Sequence, residues 1–261
     1  MMNTPKNRFK QALQAGQRQI GFWLVLDHPT VTEICAGAGF DWIVIDAEHG
    51  PGSERSILAQ LQVLGGQPAT HPVVRIPTGH GQAGQTWIKR VLDLGAQSLL
   101  VPMVDTAEQA RAVVQAARYP DALGQHGLRG VAPMRAAAWG RHRDYMREAN
   151  QQLCLIVQAE TRQALDQLDA IASVDGVDAV FLGPADLSAS LGHQGDTQHP
   201  EVMELMEQAT QRLLRLGKPV GSISPDPVTA RRYLDWGMSF VAVGLDAHLL
   251  ARGTDALRQG F

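Results

Sequence analysis

Eight short apolar runs, each separated from the next by a longer segment, constrain this chain more than any other feature. The runs are GFWLVL (21–26), WIVID (42–46), PVVRI (72–76), SLLVPM (98–103), CLIVQAE (154–160), AVFLG (179–183), PVGSIS (219–224) and FVAVG (240–244). Apolar residues within them are continuous rather than alternating, as in parallel strands covered on both faces. Parallel neighbours need a crossover, usually a helix. The intervening segments supply it. Residues 53–64 open on a Ser-Glu-rich turn and end at Gly65-Gly66; 106–118 open on the capping pattern TAEQ; 201–216 are amphipathic and stop at Gly217; 226–236 begin with Asp-Pro and stop at Gly237.

Eight strand–helix units in 261 residues predict a (β/α)8 TIM barrel, with residues 1–261 as a single domain. An open doubly wound sheet is the competing arrangement, but no GxGxxG or P-loop follows the first run. The main irregularity is YPDALGQHGLRGVAPMRAAAWGRH, read as an extended loop at the active face before a helix reaching residue 150.

Composition excludes several function classes. The net charge is −3 with no basic stripe, which argues against nucleic acid. The N-terminal residues carry no apolar h-region, and no apolar stretch is long enough to span a bilayer. The two cysteines, Cys35 and Cys154, fit no metal spacing and read as buried thiols of a cytoplasmic protein.

In a parallel barrel, catalytic groups stand at the C-terminal ends of the strands. WIVIDAEH ends in Asp46, Glu48 and His49; the third run carries Arg75; the fifth ends in Glu160; the sixth runs into GPADLS and Asp186. A lone acid at such a place often only caps the next helix. An arginine in an apolar strand, however, requires an anionic partner or a ligand. Four strands sending ionisable groups to one end point to the mouth of a site.

Glu160 and Asp186, on neighbouring strands and without clustered histidine or cysteine, suit a hard divalent cation: Mg2+, Mn2+ or Co2+. Two protein ligands would leave positions open to water and substrate. None of the four lysines (Lys6, Lys10, Lys89, Lys218) stands where it could form a Schiff base in the mouth. No organic cofactor is expected. His28 reads as either a mouth residue or a helix start. His71 lies at the opposite end, and His80, His126, His142, His193, His199 and His248 read as solvated surface.

IDAEHGP, PVVRIP, LVPMV, VQAETR and GPADLS, in this order and at these intervals, resemble the HpcH/HpaI family of metal-dependent, class II pyruvate aldolases. The resemblance runs from GFWL to VAVGLD and the last helix. It is closest to the 4-hydroxy-2-oxoheptanedioate aldolases, through HPEV after GPADLS and RYL-x-x-G-x-x-FVAVG near the end.

The resemblance implies a lyase that cleaves a 4-hydroxy-2-oxoacid to pyruvate and an aldehyde such as succinic semialdehyde, as in aromatic catabolism. It implies a homohexamer, a trimer of dimers whose last helix packs on a neighbour. Glu160 and Asp186 correspond to metal ligands, Arg75 to the arginine at the ketone oxygen, and His49 to the proton-transfer histidine. Asp46 or Asp93 would orient His49, within one chain or across a subunit boundary. Gly183, Pro184, Ala185 and Trp23 would line the pyruvate. Glu48 is expected to support the site rather than ligate.

The chain departs from the family pattern in IPTGHGQ after Arg75 and in VAPMRAAAWGR, where Arg135 or Arg141 could meet an acidic aldehyde. Other readings are a 2-dehydro-3-deoxy-sugar-acid aldolase, a citrate lyase β-like acyl-CoA lyase or thioesterase, and a non-catalytic small-acid binding protein.

Overall fold

The computed structural model describes residues 3–121 and 126–261. Eight parallel strands close on themselves: β1 (Gln19–Leu24), β2 (Trp42–Asp46), β3 (His71–Arg75), β4 (Ser98–Val101), β5 (Cys154–Ala159), β6 (Ala179–Leu182), β7 (Val220–Ile223) and β8 (Phe240–Leu245). They pair in sequence order, and β8 returns to β1. This is the closed barrel expected from the runs.

Two strands, β1 and β4, stop two residues short of their apolar runs, each for a physical reason. After Leu24 the N–H groups of Val25 and Leu26 turn away from the ladder and donate to the Asp246 carboxylate at 2.9 and 3.1 Å. After Val101, Pro102 has no N–H to give and Met103 adopts a left-handed φ of 55°.

Side chains alternate between two cores. Trp23, Trp42, Val44, Val73, Leu100, Cys154, Ile156, Phe181 and Phe240 fill the barrel interior. Ile43, Ile45, Val74, Leu99, Val101, Leu155, Val157 and Leu182 point outward under the helices. This period of two fixes what reaches the mouth. Interior Trp42 and Val44 are followed by Asp46, Val73 by Arg75, and Ile156 by Gln158.

The helix Arg8–Gln14 plugs the other end. Phe9 stacks on His71 at 5.7 Å and meets Phe240 edge-on, while Asn7 bonds Ser98 Oγ and the carbonyls of Gln97 and Gln152. Lys10 and Lys218 also lie at this end, on Asp178 and the Val177 carbonyl, and Lys89 is on the helix Gly81–Asp93.

The described part of the long stretch after residue 118 does not lie at the active face. The stretch follows the helix Ala107–Ala117 rather than a strand, so it begins where that helix has returned to the N-terminal end of the barrel. Its described part packs there: Arg129 bonds Asp93, and Arg135 bonds the Leu94 carbonyl at 2.5 Å. Arg135 and Arg141 therefore do not face this chain's own mouth. Residues 122–125 of the stretch lie outside the described residues.

The ring of His71 rests against Phe9 and Ser98, and its burial pushes its pKa down to about 4 from an ordinary 6.5. The unfolded chain then binds a proton that the folded chain does not between about pH 6.5 and pH 4, so stability falls as pH falls through that window. Denaturant unfolding at pH 5 should show about 2 kcal/mol less stability than at pH 7 from this group. His71→Asn should flatten that part of the profile; an unchanged slope would contradict the assignment.

Candidate active site

Asp46 and Arg75 end β2 and β3 in direct register. Arg75 Nε and Nη2 donate to the two Asp46 oxygens at 2.9 and 2.5 Å, a fork-to-fork pair. Its remaining nitrogen, Nη1, meets Glu48 at 2.7 Å. Trp23 lies beneath the guanidinium, 4.9 Å from ring to carbon, and its indole N–H donates to Asp46 at 3.2 Å. Burial alone would raise the Asp46 pKa, but the bonds from Arg75, Trp23 and the Glu48 backbone outweigh it and hold the carboxyl below its usual range.

This changes two expected roles. Asp46 touches His49 only through that residue's backbone N–H, at 3.4 Å, so it fixes the turn and grips Arg75 rather than orienting the imidazole. Trp23 is buried in the barrel interior as the platform for Arg75 and Asp46. Asp93 ends the helix Gly81–Asp93 on Arg129 at 2.9 Å, roughly 20 Å along that helix from its start at the mouth. Within one chain it does not reach His49. The His49 side chain is 65% exposed, with Nε2 3.9 Å from Glu48.

Glu160 stands one residue beyond β5 and is buried. Its oxygens accept from Met103 N–H at 2.8 Å and from Gln158 Nε2 at 2.7 Å. Thr161, not Glu160, caps the following helix by accepting from Ala164 N–H, so the capping reading of Glu160 is excluded. Asp186 lies exposed in the first turn of the helix Pro184–Ser190, after Gly183, and does not cap it.

Burial pushes Glu160 up to about 7; the Met103 bond and Arg75 pull against this, while Asp186 and Glu48 add to it. Burial likewise raises Glu48, against the pull of Arg75 and His49. The mouth thus gathers Asp46, Glu48, Glu160 and Asp186 around Arg75. Arg75 is already engaged by the first two. Among the described residues, Glu160 and Asp186 form no ion pair. Carboxylate oxygens this short of positive charge fit a hard divalent cation. Glu160 and Asp186 are the residues that could hold one.

Sequence reasoning missed Gln158, whose Nε2 donates to Glu160 and whose Oε1 is buried without a partner among the described residues. The signal was available: it follows interior Ile156 by two positions and precedes Glu160 by two. Several histidines also differ from the surface reading. His142 is buried, His80 bonds the Met103 carbonyl, and His193 and His199 stack at 3.5 Å with His193 on Glu201. His193, His199 and Glu201 bring ligand-type atoms within 4.8 Å of one another. In this arrangement His199 Nδ1 accepts from Glu201 N–H at 3.3 Å and so caps the helix that begins at Pro200. His28 serves as a helix cap.

A family model described as HpcH/HpaI aldolase/citrate lyase matches residues 19–253. The chain belongs to this family. The 4-hydroxy-2-oxovalerate aldolase of Rhodococcus jostii is 54% identical to it over 100% of this chain and 98% of that protein. The 4-hydroxy-2-oxo-heptane-1,7-dioate aldolase of Klebsiella pneumoniae is 50% identical over 98% of this chain and 94% of its own. Among solved structures, an HpcH/HpaI aldolase/citrate lyase family protein from Burkholderia cenocepacia superposes with a TM-score of 0.92 at 38% identity, covering 98% of this chain and 99% of that one.

Gly183 is the tightest point of the site. A Cβ there would stand 2.3 Å from Glu160 Oε2. Gly183→Ala should displace the Glu160 carboxylate and lower kcat/KM on the order of a hundredfold. Steady-state kinetics beside a thermal melt would check this; an alanine variant with wild-type kcat/KM would contradict the close approach.

Proposed function

We propose that this chain is a class II pyruvate aldolase, cleaving a 4-hydroxy-2-oxoacid reversibly to pyruvate and an aldehyde. One observation carries the reading most: Glu160 and Asp186, without ion-pair partners among the described residues, stand beside the Arg75 that Asp46 and Glu48 hold rigid, Glu160 feeling Arg75 and Asp186 feeling Glu160 and Glu48. The aldolase relatives, at about half identity over nearly the whole chain, support the same reaction. The Rhodococcus and Klebsiella enzymes have nearly equal identity to this chain but differently named substrates. The heptanedioate substrate, and with it succinic semialdehyde, therefore rests on the motif likeness.

Glu160 and Asp186 would hold the divalent ion: Mg2+, Mn2+ or Co2+. Bound there, the ion would supply a Lewis acid to the pyruvate moiety. Arg75 directs its guanidinium to the ketone oxygen and stabilises negative charge as the C3–C4 bond breaks. Its three nitrogens are already fixed by two carboxylates, so little reorganisation accompanies that step.

His49, exposed at the mouth and beside Glu48, takes the C4 hydroxyl proton and, once the aldehyde has left, passes it to C3 of the enolate to give pyruvate; in synthesis the two transfers run in reverse. The N-terminus of the helix Pro184–Ser190 receives the pyruvate carboxylate against Gly183 and Pro184 through backbone N–H groups from Ala185 onward, Gly183 N–H being turned to the Ala159 carbonyl at 3.4 Å. Gln158 donates to Glu160 through Nε2 and helps hold that carboxylate in place.

We read residues 1–261 as one domain of a homohexamer. The last helix, Asp246–Gln259, buries only Asp246 and exposes Leu249, Leu250 and Leu257, with Phe261 beyond it. The stretch that holds Asp93 exposes Leu128, Val131, Met134 and Trp139. A neighbouring chain covering these apolar groups would bring Asp93 to a site it cannot reach in its own chain. No described helix is long and apolar enough to cross a membrane, and a cytoplasmic location fits the two free thiols.

Pyruvate release from a 4-hydroxy-2-oxoacid should disappear on treatment with chelator and return with Mg2+, Mn2+ or Co2+. Activity indifferent to chelator would overturn the two-carboxylate site. Light scattering should give about 170 kDa, six times 28.3 kDa. A particle of one chain's mass would remove the proposed route for Asp93.

A further inference from the structure

His80 lies five residues beyond Arg75, at the start of the helix Gly81–Asp93. It occupies the capping position, yet its side chain makes no cap. Its Nε2 instead lies 2.7 Å from the carbonyl oxygen of Met103, in the loop after β4. A carbonyl only accepts, so this nitrogen carries the proton. The backbone N–H of His80 donates to Thr78 Oγ1 at 3.1 Å, which fixes the point from which the ring reaches out.

Met103 is an unusual residue to find there. Its φ of 55° is a left-handed conformation that a side chain with a Cβ disfavours, and it is 41% exposed, so packing of its own side chain does not impose that shape. Its neighbouring peptide groups do. The carbonyl of the Met103–Val104 peptide meets His80, and the N–H of the same peptide donates to the Gln158 carbonyl at 3.1 Å. Held from both sides, Met103 points its own N–H at Glu160 Oε1, 2.8 Å away.

We infer that His80 is a positioning residue for Glu160, acting through Met103. It clamps the left-handed turn that aims a backbone N–H at the buried carboxylate. Without the clamp, Met103 can relax toward an extended conformation and Glu160 loses one of its two donors. The site would then keep its ligand but not its fixed orientation. His80 lies in the segment IPTGHGQ, where this chain departs from the pattern of the family it resembles. The inference rests on the proposed reading of Glu160 as a metal ligand.

The test compares full-length wild type, His80→Ala, His80→Gln and Glu160→Gln. Mn2+ dissociation constants are read from the electron paramagnetic resonance signal of the free ion, with kcat/KM measured alongside. His80→Ala should weaken Mn2+ binding about fivefold, the worth of one hydrogen bond, and lower kcat/KM in parallel. His80→Gln, which can still donate to the Met103 carbonyl, should bind within about twofold of wild type. A surface role for His80 would move neither reading.

Wild-type Mn2+ affinity in His80→Ala beside weakened binding in Glu160→Gln would overturn the inference while leaving the ligand assignment standing. Failure of glutamine to restore affinity would also overturn it, since the donor would not then be the active element. Unchanged binding in Glu160→Gln would remove the ligand assignment and this inference with it.

Discussion

The guanidinium of Arg75 is the interaction on which the rest of the site depends. A cation at the end of an apolar strand is costly unless its charge is matched and its N–H groups are met. Asp46 matches it in register from the neighbouring strand, Glu48 takes the remaining nitrogen, and Trp23 closes the underside. Removing Asp46 would leave a buried positive charge; removing Arg75 would leave a buried carboxylate. Each holds the other, and together they place a planar, preoriented donor at the mouth.

The carboxylates left over define the chemistry. Because Asp46 and Glu48 are occupied by Arg75, their charge is not available to a ligand. Glu160 and Asp186 form no ion pair among the described residues, and burial first, with Asp186 and Glu48 nearby, pushes Glu160 up to about 7 against the pull of Met103 N–H and Arg75. The barrel tolerates this because Met103 and Gln158 donate to Glu160, and because Gly183 leaves the carboxylate room on the other side. A site that concentrates oxygen ligands in this way is poised for a small cation and an acidic substrate, consistent with its aldolase relatives.

Much of this was legible in the sequence, and the limits have physical causes. The continuous apolar runs gave the barrel, because parallel strands are buried on both faces. The period of two puts Asp46, Arg75 and Gln158 on the inner face, yet Gln158 hides inside CLIVQAE and stands out only when counted back from Glu160. The Asp46–Arg75 pair depends on the register between two strands, which neither strand's own pattern encodes. The loop after residue 118 was misplaced because its length suggested a mouth, whereas its position after a helix puts it at the other end. Nothing in LVPMV announces a left-handed methionine. That conformation comes from hydrogen bonds made by His80 and Gln158, residues 23 and 55 positions away, so neither the turn nor its link to Glu160 could be read locally.

In the proposed reaction, Arg75 and the Glu160–Asp186 pair stabilise the charge that develops on the pyruvate oxygen. Exchange of the pyruvate methyl protons for deuterium, followed by proton NMR in D2O with Mg2+, tests this without any choice of aldehyde. The wild-type protein should catalyse exchange, chelation should stop it, and Arg75→Lys, which keeps the charge but loses the fork, should slow it on the order of a hundredfold. Exchange that survives chelation, or that runs at the wild-type rate with lysine at position 75, would contradict the account.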